Sequence, residues 1–440
     1  MKRIIQITLL ILAGEMIFSL PFHTARFFRP TLLEVFGFSN TDLGDIFAIY
    51  GITAMLAYFP GGMIADRLSA RSLLSLSLVL TAAGGLYMAT LPGAGQMALL
   101  YGYWGVTTIF LFWAALIKSA REWGGELSQG KAFGILDGGR GFVAASFAII
   151  GVAVLAFYLP ADAALATDAE RRAGFRSVIL LYSAVTAAIG VLTWFLLPVS
   201  TIVAATESTT PSAVSSLHGA LAAMRRPLVW AQAGIIVCAY CGYKGLDNYS
   251  LYAVQVLGMN EVEGARLSAY ASYIRPVATV IAGILADRYL TSRIIARTFA
   301  ALAVSFGILS IATPTAPWLM VIYANIFVSF FAVFALRGIY FALLEETKTP
   351  RHITGTTVGI VSFVGFTPEI FFAPITGRIL DAAPGIAGHQ NYFLFLAAVA
   401  LLGFSTVFFL VRARRRSSDS GIAKTAIASK PVANDVSEKP

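Results

Sequence analysis

Eleven charged residues stand inside stretches of sequence that are otherwise apolar: Glu15, Arg26, Arg29, Lys118, Asp137, Arg140, Lys244, Asp247, Arg275, Arg337 and Glu369. Seven are basic and four acidic. A charge at the centre of a membrane helix costs about 2.5–3.5 kcal/mol, so each needs a partner, a wet cavity or a function. Arginine presents a planar fork that matches carboxylate, phosphate or sulfonate in two-point contact. A surplus of such groups around one space attracts an anion. Buried carboxylates can take up and release protons, which makes Glu15, Asp137, Asp247 and Glu369 candidates for proton coupling. Arg26, Lys118, Arg140, Lys244, Arg275 and Arg337 are the candidates for substrate binding.

The elements that must hold these residues are membrane helices. The chain is 58% hydrophobic and 12% charged, against about 25% charged in an average soluble domain. Its apolar residues come in runs of about 20, the length that crosses a bilayer. Twelve spans are expected, with cores near 5–32, 44–64, 73–91, 97–120, 132–158, 177–197, 228–256, 265–286, 295–313, 318–343, 355–379 and 391–411. The first is long and carries Pro21 and Pro30, which can kink a membrane helix. It has no small-residue cleavage site, so it reads as a span and not as a signal peptide.

The net charge of +9 follows the positive-inside rule and is no nucleic-acid signal. Lys2, Arg3, Arg67, Arg71, Arg121, Lys131, Arg225, Arg226, Arg288, Arg293, Arg297, Lys348, Arg351 and the cluster Arg412–Arg416 fall on one side of the expected membrane. Both termini are therefore expected in the cytoplasm. Residues 199–227 change character and read as a cytoplasmic linker between bundles 1–198 and 228–412. The tail 413–440 reads as disordered. Cys238 and Cys241 lie in an apolar helix without further cysteine partners, and packing is their plainest role.

The chain repeats itself. Gly62, Asp66, Arg67 and Arg71 recur as Gly283, Asp287, Arg288 and Arg293, and Gly62 and Gly283 stand 221 residues apart in a chain of 440. Each copy lies between two apolar runs. A half-length repeat in a membrane chain points to two homologous bundles. The plainer reading of one copy is a topological anchor; two matching copies go beyond it.

The motif G-x-x-x-D-R followed by a second Arg resembles the loops between helices 2 and 3 and between helices 8 and 9 of the major facilitator superfamily. The resemblance reaches to about Arg416. It implies an all-α membrane protein of twelve transmembrane helices in two pseudo-symmetric six-helix bundles. It also implies gating at these loops. Asp66 and Asp287 would meet the positive N-terminus of a helix from the other half when that side is closed, and the arginines would face anionic lipid. In that fold helices 1, 4, 7 and 10 line the central cavity and 5, 8 and 11 flank it. Gly37–Gly44, Gly130–Gly141 and Gly355–Gly359 with Phe363–Phe366 further resemble the organophosphate:phosphate antiporter group. That group holds phosphate with an Arg in helix 1, an Arg in helix 7 and a His in helix 5. The corresponding positions here carry His23, with Arg26 nearly one turn later, Gly242, with Lys244 nearby, and Arg140, so charge type is kept in each region and position is not.

Each charge also has a plainer reading. Arg26 and Arg29 could snorkel at an interface, and Lys118 could belong to a helix end with Arg121 and Glu122. Asp137 with Arg140, and Lys244 with Asp247, are spaced to pair along one helix. Arg275 could satisfy carbonyls freed by Pro276. Arg337, deep in an apolar run, has the weakest plain reading. Glu345 and Glu346 fit a helix end beside Lys348. Trp104, Trp113, Tyr240, Tyr243, Tyr249, Tyr270, Tyr273 and Tyr340 could face a sugar ring or simply pack helices.

The expectation is a monomeric secondary transporter of the cytoplasmic (inner) membrane. It carries a small organic anion by alternating access, coupled to a proton or a counter-anion, with the lipid bilayer as its surroundings. An exporter of amphipathic, drug-like compounds or a neutral-sugar symporter is the alternative. No cofactor, metal or nucleic acid is expected. No G-x-x-x-x-G-K-[ST] loop is present for ATP, and no nucleophile or acid pair suggests an enzyme.

Overall fold

A computed structural model describes residues 2–125, 129–198, 224–346 and 351–428. Among them every element is helical. Nine helices are long and apolar enough to cross a membrane, or eleven when two bent pairs each count as one span. We number the spans α1 to α12. In the first half these are α1 (Arg3–Met16 with Ser19–Phe27), α2 (Asn40–Arg67), α3 (Ala70–Met88), α4 (Ala94–Gly124), α5 (Gln129–Tyr158) and α6 (Asp168–Leu196). In the second half α7 begins as Pro227–Gly245 and resumes as Tyr249–Gln255, followed by α8 (Glu261–Arg288), α9 (Thr291–Ile311) and α10 (Ala316–Ile339). The chain closes with α11 (Arg351–Gly365 with Pro368–Ala382) and α12 (Ile386–Ala428). The span absent from the apolar set is α7, which is broken at Leu246–Asn248 and carries Gln232, Lys244, Asp247 and Asn248 in buried positions.

Local sequence explains the helix ends and bends. Ser39 and Asp42 form a capping box at the start of α2, Thr167 and Glu170 one at α6, and Asn260 and Glu263 one at α8. α1 bends by 43° and passes through a π-helical turn, Ser19–His23, around Pro21. Pro30 does not kink a span; it lies in the first turn of a separate short helix, Arg29–Phe36, where a missing N–H costs nothing. α12 continues to Ala428, into the stretch read from sequence as a tail. Most of the linker and residues 429–440 lie outside the described residues.

The apolar cores divide by half. One consists of buried residues between Val229 and Leu410, another of residues between Leu9 and Leu197. A third takes residues from Leu20 to Tyr182 and adds Ala265 and Ala269 of α8. The halves meet chiefly where α2 packs on α11 and α5 on α8. The half-length repeat pairs α2 with α8 and α5 with α11, so these two contacts are equivalents. Cys238 and Cys241 are free, buried thiols within the core of the second half.

The two ends of the molecule differ. At the end away from the linker, a Cβ on Gly44 would lie 2.5 Å from the Ala373 carbonyl oxygen, and one on Gly51 2.5 Å from that of Glu369. Only glycine allows so close a backbone approach. Polar bonds join the halves there too. Arg378 holds Asp45 through two contacts of 2.8 and 3.1 Å, and Glu261 accepts from Thr31 at 3.0 Å and Arg171 at 2.6 Å. At the linker end, a Cβ on Gly62 or Gly283 would meet nothing within 4 Å. Among the described residues the halves close on each other at the end away from the linker, and these loop glycines meet no neighbour at the linker end.

Candidate functional site

Between the halves lies a cavity with an empty volume of about 810 Å³, part of it continuous with open space. α1 supplies one wall. Its π turn widens the helix beside Glu15, and such turns recur at functional sites. Glu15 is buried and shared by three partners: Arg140 Nε at 2.9 Å, His23 Nε2 at 3.2 Å and Arg275 at 3.7 Å. Arg275 also holds Asp137 at 2.6 Å. Glu15 and Asp137 belong to the first half and Arg275 to the second, so these bonds staple the halves together.

The break in α7 supplies the facing wall. It leaves Asp247 buried in a short turn, where its oxygens accept from Arg26 Nε at 2.5 Å and lie 3.2 Å from Lys244 Nζ. Arg26 donates a second bond to the Tyr243 hydroxyl at 3.0 Å. The Lys244 ammonium also sits 4.4 Å from the Phe22 ring centre and 3.4 Å from Glu369 Oε2. The other Glu369 oxygen accepts from the Tyr240 hydroxyl.

Arg337 is the exception. Among the described residues it makes no ion pair. Its guanidinium stacks 3.8 Å from the Tyr243 ring centre, and one of its terminal nitrogens is buried without a hydrogen-bond partner. Five cations (Arg26, Arg140, Lys244, Arg275 and Arg337) stand against four carboxylates (Glu15, Asp137, Asp247 and Glu369), which leaves one positive charge. Burying ions costs several kcal/mol each unless they are paired and hydrogen-bonded. An unpaired arginine facing a cavity is therefore poised to accept an anion.

The sequence-derived candidates divide as follows. Arg26, Arg140, Lys244, Arg337, Glu15 and Glu369 line the cavity. Arg275, Asp137 and Asp247 stand behind that lining and hold its members in place. Lys118 lies outside it, donating to the Ala65 carbonyl in the last turns of α2 at 3.0 Å. Arg29 turns to Asn40, at 3.2 Å. The plainer alternative of a pair along α5 does not occur, since Asp137 meets Arg275 and Arg140 meets Glu15, both across helices, whereas Lys244 and Asp247 of α7 do pair, at 3.2 Å. Glu346 caps α9 through Ser292 at 2.7 Å and binds Arg414 at 2.6 Å, while Lys348 lies outside the described residues.

The loop residues Asp66, Arg67, Asp287, Arg288 and Arg293 are exposed at the open end. Arg71 packs on the Trp194 ring of its own half, 4.8 Å from its centre. Of the aromatics, Trp113, Tyr240 and Tyr243 line the cavity. Trp104 is core and donates to the Thr81 carbonyl; Tyr249 and Tyr273 bond Ser329 and Ser146; Tyr270 is exposed and Tyr340 buried. Sequence reading missed Phe18, Phe22, Tyr50, Met55, Tyr58, Ile109 and Phe366, all of which line the cavity. Aromatic and aliphatic residues are common on every face of these spans, so type and spacing gave no signal. Pro21 was the one local hint for Phe18 and Phe22.

Residues 11–373 match the model of the Major Facilitator Superfamily. The chain is 29% identical over 434 residues to inner membrane protein YqcE of Escherichia coli K12, covering 96% of this chain and 97% of that one. It is 26% identical over 415 residues to inner membrane protein YihN of the same organism, covering 92% and 94%. Among solved structures, it is similar to a bacterial homolog of the human lysosomal transporter Spinster in an inward-facing, unoccupied conformation. There the TM-score is 0.73 and the identity 13%, over 94% of this chain and 97% of that one. The chain belongs to the major facilitator superfamily: it is a multi-pass membrane transporter, not an enzyme.

Proposed function

We propose that this superfamily member carries a small organic anion across the cytoplasmic membrane. A sugar acid, a sugar phosphate or a sulfonated sugar fits. The observation that carries the reading is Arg337, the cavity cation without a carboxylate among the described residues. Arg140 and Lys244 lie on the same lining and would add charge once their own carboxylates shift. Tyr50, Tyr58, Trp113, Tyr240 and Tyr243 offer flat faces with polar edges for a hydroxylated ring.

The two six-helix halves, 1–198 and 228–412, rock about the cavity. With both termini in the cytoplasm, the linker end is the cytoplasmic end, and the structure is the inward-facing state. The basic residues concentrated at that end support this orientation. The gating loops around Gly62 and Gly283 then approach each other when that end closes. Transport is driven by a proton gradient or by exchange with a second anion.

A thermal-stability screen of the purified protein tests the reading. Its ligands are sugar phosphates, sulfonated sugars, hexuronates, nitrate, phosphate and neutral sugars. A ligand at a hundredfold excess over its dissociation constant stabilises the folded form by about 2.7 kcal/mol. Stabilisation by one anionic class supports the reading; stabilisation only by neutral sugars or lipophilic cations overturns it. The aromatic lining, with acids at Glu15 and Glu369, supports a second reading, an exporter of amphipathic compounds, which the lipophilic-cation arm detects.

A further inference from the structure

Outside the cavity, at the closed end, a carboxylate of one half already sits on a set of donors from the other. Asp381 of α11 accepts from the Asn40 side-chain amide at 3.0 Å and from the N–H groups of Asn40 and Thr41 at 3.2 and 2.7 Å. Behind these donors lies Arg29, 2% exposed and off the cavity lining. Among the described residues Arg29 makes no ion pair. Its Nε and one terminal nitrogen both donate to a single amide oxygen, Asn40 Oδ1, at 3.2 Å. Bonds from a guanidinium to a carboxylate are shorter, about 2.7–2.9 Å. The carboxylates that act most on Arg29 are Asp247 and Asp381, both of the second half. Asp247 is held by Arg26 and Lys244.

We propose that Arg29, Asn40 and the N-terminus of α2 form an outer binding site for the transported anion. The site forms when the closed end opens and Asp381 leaves with the second half. The carboxylate, phosphate or sulfonate head of the anion then takes the donors that Asp381 held. The inference rests on the anion reading above and adds a second site, on the path between the cavity and the outer solution.

The division of the residues between the halves carries the argument. Arg29, Asn40 and Thr41 all belong to the first half and stay together as the halves rock. Their acceptor belongs to the second half and moves away. Gly377 of α11 packs so closely on the Asn40 backbone carbonyl that only glycine fits, so α11 covers Asn40 and, behind it, Arg29. Opening removes that cover. It leaves a guanidinium, an amide and the two N–H groups at the start of a 28-residue helix. The guanidinium charge and the positive end of the helix both favour an anion there. The acid of the same helical turn, Asp42, is turned to Ser39, from whose N–H and hydroxyl it accepts at 2.9 and 2.7 Å. A carboxylate fills the site in the closed state, so the chemistry that it selects is already on display. Arg26, three residues before Arg29, lines the cavity, and the two arginines mark successive stations on one route.

The experiment measures binding of glucuronate and of glucose 6-phosphate to the full-length protein in two backgrounds. Gly44→Val combined with Gly51→Val sets side chains against the Ala373 and Glu369 carbonyls, so the closed end stays open. Gly62→Val keeps the linker end open instead. In the first background Arg29→Gln should weaken binding by about tenfold or more, as expected for loss of a hydrogen bond to a charged group. In the second it should leave affinity unchanged. Asn40→Ala should follow the same pattern with a smaller loss. If Arg29→Gln weakens binding equally in both backgrounds, or in neither, the outer site is overturned and the anion reading stands. If neither anion binds in either background, the anion reading fails and takes this inference with it. Should Arg29→Gln not fold, Arg29→Lys and Asn40→Ala decide in the same two backgrounds.

Discussion

Asp381, in the last turn of α11, accepts a hydrogen bond from the backbone N–H of Thr41 in the first turn of α2, at 2.7 Å. It also accepts from the Asn40 N–H and side-chain amide, at 3.2 and 3.0 Å. A carboxylate of one half thus caps a helix of the other, satisfying N–H groups that no intrahelical carbonyl reaches and meeting the positive end of the dipole. The loop motif suggests this same device for Asp66 and Asp287 at the opposite end. In this conformation it operates at the closed end, from a residue outside the motif.

Removing that cap should open the closed end. Asp381→Ala should favour the alternative state by about 1 kcal/mol, the usual worth of an N-cap, or roughly fivefold in population. Spin-label distances across the closed end would read this as a longer component. Unchanged distance distributions would mean that the α2–α11 backbone approach and the bonds of Arg378 to Asp45 and of Glu261 to Thr31 and Arg171 hold the end shut without the cap.

Arg337→Gln and Arg140→Gln should separate binding from folding. Among the described residues Arg337 makes no ion pair, so its loss should weaken anion binding at least tenfold without lowering the melting temperature. Arg140→Gln leaves Glu15 buried with less compensation. Breaking a buried pair costs about 3–5 kcal/mol, reduced here by what His23 and Arg275 still neutralise. Melting temperature and dissociation constant of both variants give the check. A destabilised Arg337→Gln would show that its stacking on Tyr243 is structural.

Lys118→Met should leave substrate affinity unchanged, because Lys118 bonds a backbone carbonyl of α2 outside the cavity. Its effect should be confined to a small loss of stability, about 1 kcal/mol for one hydrogen bond. Uptake kinetics in proteoliposomes decide this, and a raised KM would return Lys118 to the binding set.

Gly51→Val and Gly62→Val should act in opposite senses. A side chain at position 51 meets the Glu369 carbonyl, so closure of that end fails and the protein stays in the other state. At position 62 there is open space, so Gly62→Val should bind ligand as wild type does. If the gating proposal holds, it should then transport slowly, because the linker end can no longer close. Equal behaviour of the two variants in a binding-versus-flux comparison would refute the assignment of closed and open ends.

Sequence alone determined what is local. Runs of about 20 apolar residues give spans because the bilayer has a fixed thickness. The recurrence of Gly62–Arg71 at Gly283–Arg293 gives two halves because repeats are read in one dimension. Charges inside apolar runs mark the site because the bilayer makes them costly, and six of the ten binding and coupling candidates line the cavity.

Only the tertiary structure decided the pairing of those charges. Arg26 finds Asp247 221 residues away, and Asp137 passes over its neighbour Arg140 for Arg275. Spacing along a helix fixes which residues share a face. It does not fix how each helix is rotated against the next, and at midplane a charge pairs with whatever the facing helix presents. That rotation left Arg337 without an ion pair among the described residues, turned Lys118 away from the cavity and brought Glu369 to Lys244.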